Sequence, residues 1–221
     1  MTIQEIYERF DKIGSCTFAT IDGDYPETRI AHFIAYDEDG LYFMTMNTKP
    51  FYKQLKETGK VSVCALAADP AITLNSEGSL DMDDGYFIRL TGDVHEVALE
   101  DIKAKNNPIF NYGIEDQERY PAMVFFVMDR AKGEIYDYDF DRKKRDHKLE
   151  RERFAFGGFP VIPAGLTITD ACIGCGKCAS VCTFQAPYEK DGRYYIDSSR
   201  CDECGNCYLN CPAQAIVHKG V

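Results

Sequence analysis

The 221-residue sequence has no apolar run approaching the roughly 20 residues needed to span a bilayer. Its start, Met1-Thr2-Ile3-Gln4-Glu5, lacks the charged and apolar stretches of a secretory signal, so retention in the cytoplasm is the expectation. Basic residues are in deficit: 25 Lys and Arg face 36 Asp and Glu, a formal net charge of -11. Residues 1–166 hold 30 acids and 20 bases, whereas residues 167–221 are nearly balanced at 6 and 5. Such a surface repels phosphate backbones and anionic lipid, which argues against general nucleic-acid or membrane binding. Paired histidine ligands are also lacking, because His32, His95, His147 and His218 are far apart in the chain. The length fits one substantial core plus a small satellite domain.

What is present begins with a helix. Thr2 with Glu5 makes a capping-box pattern, Ile3, Ile6, Tyr7, Phe10 and Ile13 recur at helical spacing, and Gly14 follows. Short β-rich runs then occupy residues 15–21, 28–35, 41–45, 61–66, 86–99 and 124–138, punctuated by Asp22-Gly23, Asp39-Gly40 and Asp84-Gly85. Helices are expected over residues 50–58, between Pro50 and Gly59, and around 99–106. Evenly spaced short strands with few helical interruptions argue for a mainly β, α+β fold built on a β-barrel. Gly and Pro break residues 154–166 into a connector, which gives a barrel domain at 1–155, a connector at 156–166 and a small domain at 167–221.

The small domain contains a repeat. Cys-x-x-Cys-Gly-x-Cys-x-x-x-Cys starts at Cys172 and again at Cys201, 29 residues later. A cubane cluster needs four thiolates on alternate corners; three cysteines at two-residue gaps can wrap it from a single loop, and the fourth ligand has to come from elsewhere. Paired structural zinc sites are the bland alternative, but they use paired cysteines and leave the repeated triple unexplained. Cys172, Cys175, Cys178, Cys182, Cys201, Cys204, Cys207 and Cys211 are therefore the candidate metal ligands. Cys16 and Cys64 lie in expected strands and read as ordinary buried thiols.

Residues 167–221 resemble the bacterial two-cluster ferredoxins, including Cys211-Pro212 and Ala215-Ile216, with Thr183 where that pattern has proline. The resemblance implies two [4Fe-4S] clusters with exchanged fourth ligands. One would take Cys172, Cys175, Cys178 and Cys211; the other Cys201, Cys204, Cys207 and Cys182. A domain of this size is expected to depend on its metal for stability.

In the larger domain, Thr45, Asn47, Thr48 and Lys49 immediately precede a helix start, where free amides and the helix dipole favour an anion. At these residues the sequence resembles the pyridoxamine phosphate oxidase-like, FMN-binding split β-barrel family, over about residues 1–140. The resemblance implies a homodimer and an FMN whose phosphate meets Arg29, Thr48 and Lys49. Ile30, Ala31, Met44 and Thr45 would line the ring, and Lys53 would replace a second basic residue after Lys49, where Pro50 stands. Another phosphate-bearing ligand, pyridoxal phosphate or F420, is the alternative.

Clusters pass single electrons and a flavin handles one or two, so the combination implies an FMN-dependent iron-sulfur reductase. It would accept electrons from an external protein and reduce a small organic acceptor. A carrier between two proteins and a redox sensor are the rival readings. Exposed low-potential clusters imply oxygen sensitivity, hence an anaerobic setting. No side chain stands out as a proton donor. Arg142-Lys143-Lys144-Arg145 with Lys148, Arg151 and Arg153 reads as a solvated basic helix or loop, Asp81, Asp83 and Asp84 as a solvated acidic turn, and Tyr136 and Tyr138 as strand residues.

Overall fold

A computed structural model of the chain describes residues 1–67, 73–74, 80–81, 85–138 and 149–219. The turn residues Asp83 and Asp84 and the basic run from Arg142 to Arg145, with His147 and Lys148, lie outside the described residues.

Helix α1 spans Ile3–Ile13 and has the expected cap: the Glu5 amide donates to Thr2 Oγ1 at 3.2 Å and the Thr2 amide donates to Glu5 Oε2 at 2.7 Å. Gly14, at φ 79°, closes it by donating its amide to the Phe10 carbonyl. Strand β1 (Cys16–Asp22) then turns through Gly23-Asp24 into β2 (Tyr25–Ala31), pairing Asp22 with Tyr25 and Cys16 with Ala31. This corrects the expected strand at 28–35. The two-residue hairpin starts pairing at once, Pro26 is tolerated because β2 is a sheet edge, and the chain leaves the ladder after Ala31.

The first half continues with β3 (Ala35–Tyr36), β4 (Leu41–Met46), α2 (Pro50–Thr58), β5 (Lys60–Ala67), and the short pair β6 (Thr73–Leu74) and β7 (Leu80–Asp81). Then come β8 (Gly85–Val97), α3 (Leu99–Ala104), a 3₁₀ turn at Pro108–Phe110, α4 (Asn111–Arg119), β9 (Met123–Tyr138) and β10 (Leu149–Phe156). The sheet order is β2-β1-β5-β8-β9-β4-β3, with β10 also paired to β9. The chain is thus mainly β with added helices. Helix α4 escapes sequence inspection because Asn-Tyr-Gly-Ile-Glu-Asp-Gln-Glu-Arg has little apolar stripe and only Gly113 in it is buried.

Two compact units partition the chain. The first comprises Met1–Ala67, Ile88–Gly133 and Phe154–Pro160; the second comprises Ala68–Phe87, Glu134–Arg153 and Val161–Val221. The core of the first is aromatic: Phe18 lies 5.2 Å from both Phe33 and Phe43, and Phe43 stacks 5.7 Å from Phe126. Each such side chain contributes about 1.5–3 kcal/mol through burial. Strand β4 is buried on both faces, because alternate residues face a second cluster of Tyr42, Ile102, Phe110 and Phe125.

The second unit adds β11 (Leu166–Ile168), α5 (Lys177–Ser180), β12 (Pro187–Lys190), β13 (Arg193–Ile196), α6 (Asn206–Leu209) and β14 (Ile216–His218). β11 pairs with β14 and β12 with β13, all antiparallel. One apolar cluster there is small, with Leu166 and Ile216 packed against the cysteines Cys178 and Cys207.

Gly133 in β9 marks a close approach in the first unit. A Cβ there would sit 2.2 Å from the Arg89 carbonyl and 2.8 Å from the Phe154 ring. Backbone cannot step aside as a side chain can, so Gly133→Ala is expected to cost about 1–3 kcal/mol in urea denaturation. An unchanged midpoint would show that the strands there are not in contact.

Candidate functional site

In the first unit Arg29 in β2 is half-buried beside α2. Its Nη1 donates to Thr20 Oγ1 at 2.5 Å and to the Glu27 carbonyl at 3.1 Å; Nη2 donates to Gln54 Oε1 at 2.7 Å. The guanidinium lies over the Phe51 ring, 4.4 Å from its centroid. Gln54 also accepts from the Thr20 hydroxyl at 2.5 Å and donates to Asp22 at 3.1 Å. All the acceptors around Arg29 among the described residues are neutral, and burial holds it below the usual guanidinium value while Glu27 pulls the other way. Nε and the second hydrogen of Nη2 have no acceptor among those residues, leaving two donors of the fork for an anion.

Thr45 is buried at the end of β4, the Asn47 amide donates to the Ala122 carbonyl, and Lys49 is the N-cap of α2 with no side-chain cap bond. Thr48 and Lys49 are exposed, and Ile30 and Ala31 pair with Thr17 and Cys16. Met44 pairs with Phe125 in the ladder to β9. Lys53 lies 3.6 Å from Glu57 in an exposed pair one helical turn on. These residues fit a phosphate-bearing group: a guanidinium bonded only to neutral acceptors, a lysine at the cap and the Phe51 amide of the first turn of α2, where Pro50 has no N–H and the Tyr52 amide is taken by the Lys49 carbonyl. Gln54 and Thr20 escape the sequence reading, although Gln54 is a polar residue on the buried stripe of α2, and that was the available signal.

In the second unit the eight cysteines line two separate cavities. Cys172, Cys175, Cys178 and Cys211 line one with Tyr194 and Pro212. Cys182, Cys201, Cys204 and Cys207 line the other with Phe184 and Ile196. Each cavity thus takes three cysteines from one copy of the repeat and the last cysteine from the other. Among the described residues no three His, Cys, Asp or Glu side chains converge on a point as a single ion requires. The Gly174 amide donates to Cys172 Sγ at 3.5 Å and the Ala215 amide to Cys211 Sγ at 3.3 Å, which favours anionic sulfur there. Four thiols around a space with amide donors fit an iron-sulfur cluster. By contrast Cys16 is buried, with its thiol pushed up to about 11 by that burial and by Cys64. Cys64 is exposed, which corrects the expectation that both are buried.

Residues 171–216 match the family described as 4Fe-4S dicluster domain. A ferredoxin named 7Fe from Hydrogenibacillus schlegelii is 41% identical over 54 residues, 24% of this chain and 69% of that protein. Through these residues the chain belongs to the ferredoxins. An uncharacterized ferredoxin of Methanocaldococcus jannaschii is 39% identical over 57 residues, 73% of its length. The ferredoxin region therefore carries a 4Fe-4S domain, an electron-transfer module, and no helix among the described residues is long and apolar enough to cross a membrane. Among solved structures, a NimC/NimA family protein from Clostridium acetobutylicum has TM-score 0.47 at 22% identity, covering 70% of this chain and 92% of that one. A pyridoxamine 5'-phosphate oxidase-related, FMN-binding protein from Nostoc punctiforme has TM-score 0.38 at 11% identity, covering 69% and 94%.

The second unit holds one arrangement that corrects the reading of Arg151 and Arg153 as solvated. Both lie in β10, and Arg151 is only 8% exposed. Arg151 Nη1 donates to the Cys201 carbonyl at 3.1 Å and to Glu203 Oε2 at 2.9 Å, and Nη2 donates to Glu134 Oε1 at 3.3 Å. Arg153 reaches Glu134 at 3.1 Å and Glu203 at 3.3 Å. Burial works against the Arg151 charge, but the Glu134 and Glu203 carboxylates outweigh it and hold the guanidinium above its usual value. Glu203 has φ 61°, a left-handed backbone costing a non-glycine residue about 1 kcal/mol. The signal was in the repeat, because Glu203 occupies the slot that Gly174 holds in the first copy.

Removal of Gln54 tests the Arg29 setting. Gln54→Leu takes away the acceptor of the Thr20 hydroxyl and of Arg29 Nη2, and a loss of about 1–3 kcal/mol in denaturation is expected. A neutral result would mean that water serves both groups.

Proposed function

We propose that the protein is an iron-sulfur flavoprotein oxidoreductase acting on a small organic acceptor. In this reading two [4Fe-4S] clusters occupy residues 167–221, FMN occupies residues 1–155, and residues 156–166 connect the two. The observation that carries it is the sorting of eight thiols into two rings of four, each completed by a cysteine from the other half of the repeat. Cys172, Cys175, Cys178 and Cys211 hold one cluster, and Cys182, Cys201, Cys204 and Cys207 the other. When bound, the clusters supply single electrons and the flavin couples them to two-electron chemistry.

The chain's own residues divide the work. Arg29 and Lys49, with Thr48 and the Phe51 amide at the start of α2, bind the FMN phosphate, while Asn47 and Lys53 flank it. The backbone of Ile30 and Ala31 and the end of β4 at Met44 and Thr45 orient the ring. Amides such as those of Gly174 and Ala215 stabilise charge on sulfur. Electrons come from an external redox protein in a reducing, cytoplasmic compartment.

Anaerobic purification is expected to give eight irons and one FMN per chain. Arg29→Met is expected to weaken FMN binding roughly 10- to 100-fold, the worth of a charge-assisted contact of about 1.5–3 kcal/mol, with iron unchanged. Stoichiometric zinc, or a colourless N-terminal part, would overturn the reading.

A homodimer belongs to the same proposal. Strand β2 is a sheet edge with Tyr25 74% and Ile30 69% exposed, and Ile21 is exposed on its neighbour β1 and Leu66 on β5, the next strand in. An edge this apolar calls for cover. Ile30→Glu is expected to convert a dimer to a monomer in sedimentation; a monomeric wild type would refute the dimer.

A further inference from the structure

We infer that Arg151 and Glu203 are positioning residues that set the reduction potential of the cluster held by Cys182, Cys201, Cys204 and Cys207, leaving the other cluster untouched. The inference rests on the two-cluster reading proposed above. It comes from an asymmetry between two halves that share one cysteine spacing.

In the first copy the residues after Cys172 are Ile173, 68% exposed, and Gly174. A Cβ on Gly174 would meet the Gly192 carbonyl at 2.6 Å, so no side chain fits that slot. In the second copy the same two slots hold Asp202 and Glu203, both carboxylates. Glu203 adopts the glycine-like backbone at φ 61° and is held there from several sides: Arg151 at 2.9 Å, Arg153 at 3.3 Å, and the Gly165 amide at 2.8 Å. Asp202 accepts from the Tyr136 hydroxyl. Arg151 donates to the carbonyl of Cys201, itself one of the thiol-bearing residues of that cavity, at 3.1 Å.

The charges beside the two cavities differ in kind as well as number. The first has Lys177, exposed on its lining, and nearby Arg193, whose side chain is 36% exposed and paired with the fully solvated Asp170 at 2.8 Å. Solvent and salt screen such a charge. Arg151 and Glu134 are each only 8% exposed, and in that setting a full charge acts over several ångströms with much less attenuation. A cluster gains negative charge on reduction. The guanidinium therefore favours the reduced form and the Glu203 carboxylate the oxidised form, and the balance between them fixes the potential. Hydrogen bonds and net charge are the recognised protein levers on such potentials.

The test is an EPR-monitored redox titration of anaerobically loaded full-length protein, with iron content measured on each sample. Wild type is expected to show two one-electron steps. In Arg151→Gln one step shifts downward, because Glu134 and Glu203 lose the more buried of their two counter-charges and keep only Arg153; in Glu203→Gln the same step shifts upward. About a tenfold change in the reduction equilibrium is expected in each case, ~59 mV for one electron. Arg151→Lys keeps the charge and should stay near the wild-type potential. Shifts of the same sign in the two neutralised variants, or equal shifts of both steps, would mean a loop disturbance and overturn the inference. So would two wild-type steps that neither variant moves at full iron content. Should Arg151→Gln lose iron, Glu203→Gln and Arg151→Lys decide, and loss of iron from both of these would leave the pair a purely structural role. Wild-type protein without two cluster steps would remove the two-cluster reading and this inference together.

Discussion

Each thiol-lined cavity in the second unit is closed by a cysteine from the other half of the repeat, Cys211 for one and Cys182 for the other. Neither half can therefore complete its own set of four. The two one-turn helices α5 and α6 bring Cys178 and Cys207 inward, and these thiols share a small core with Leu166 and Ile216. Under the two-cluster proposal, what the cavities enclose adds to the folding energetics that this small apolar cluster supplies. Burial of Cys207 pushes its thiol up to about 11, so the protein alone opposes the anionic sulfur that a metal needs, and metal binding has to displace that proton.

The first unit solves a different problem. Its aromatic layer and doubly buried β4 give a rigid base, against which Arg29 is held by Thr20, Gln54 and the face of Phe51. Holding a cation among neutral oxygens costs desolvation without the compensation a carboxylate would provide. The chain retains that cost at one place, beside a helix start that carries Lys49. Local instability of this kind marks a binding position more clearly than the lysine does, since an exposed lysine at a helix cap is unremarkable.

Much of this was legible in the residues. Thr2 and Glu5 specified α1, Pro50 and Gly59 bounded α2, and the long strands β8 and β9 followed from their composition. The cysteine spacing announced its own geometry because ligand number and chain reach leave few arrangements. The failures share one cause, which is that tertiary partners were invisible. In Leu-Glu-Arg-Glu-Arg-Phe-Ala-Phe the alternating arginines look solvated, yet they point at Glu134 and Glu203, far away in sequence. In β2 the pattern of exposure on both faces concealed a strand that pairs from Tyr25 onward. Gln54 sits on the buried stripe of α2, but its three partners, Thr20, Asp22 and Arg29, belong to β1 and β2.

The left-handed backbone at Glu203 bears on how the ferredoxin region can be handled. Its carboxylate is steadied by side chains of β10 and by the Gly165 amide, all upstream of residue 166. An excised cassette beginning at residue 167 would keep every cysteine and lose those tethers, leaving a bare acid in a conformation suited to glycine. Transplanting the repeat into another protein therefore requires either carrying β10 with it or replacing Glu203 by the glycine its sister copy already uses.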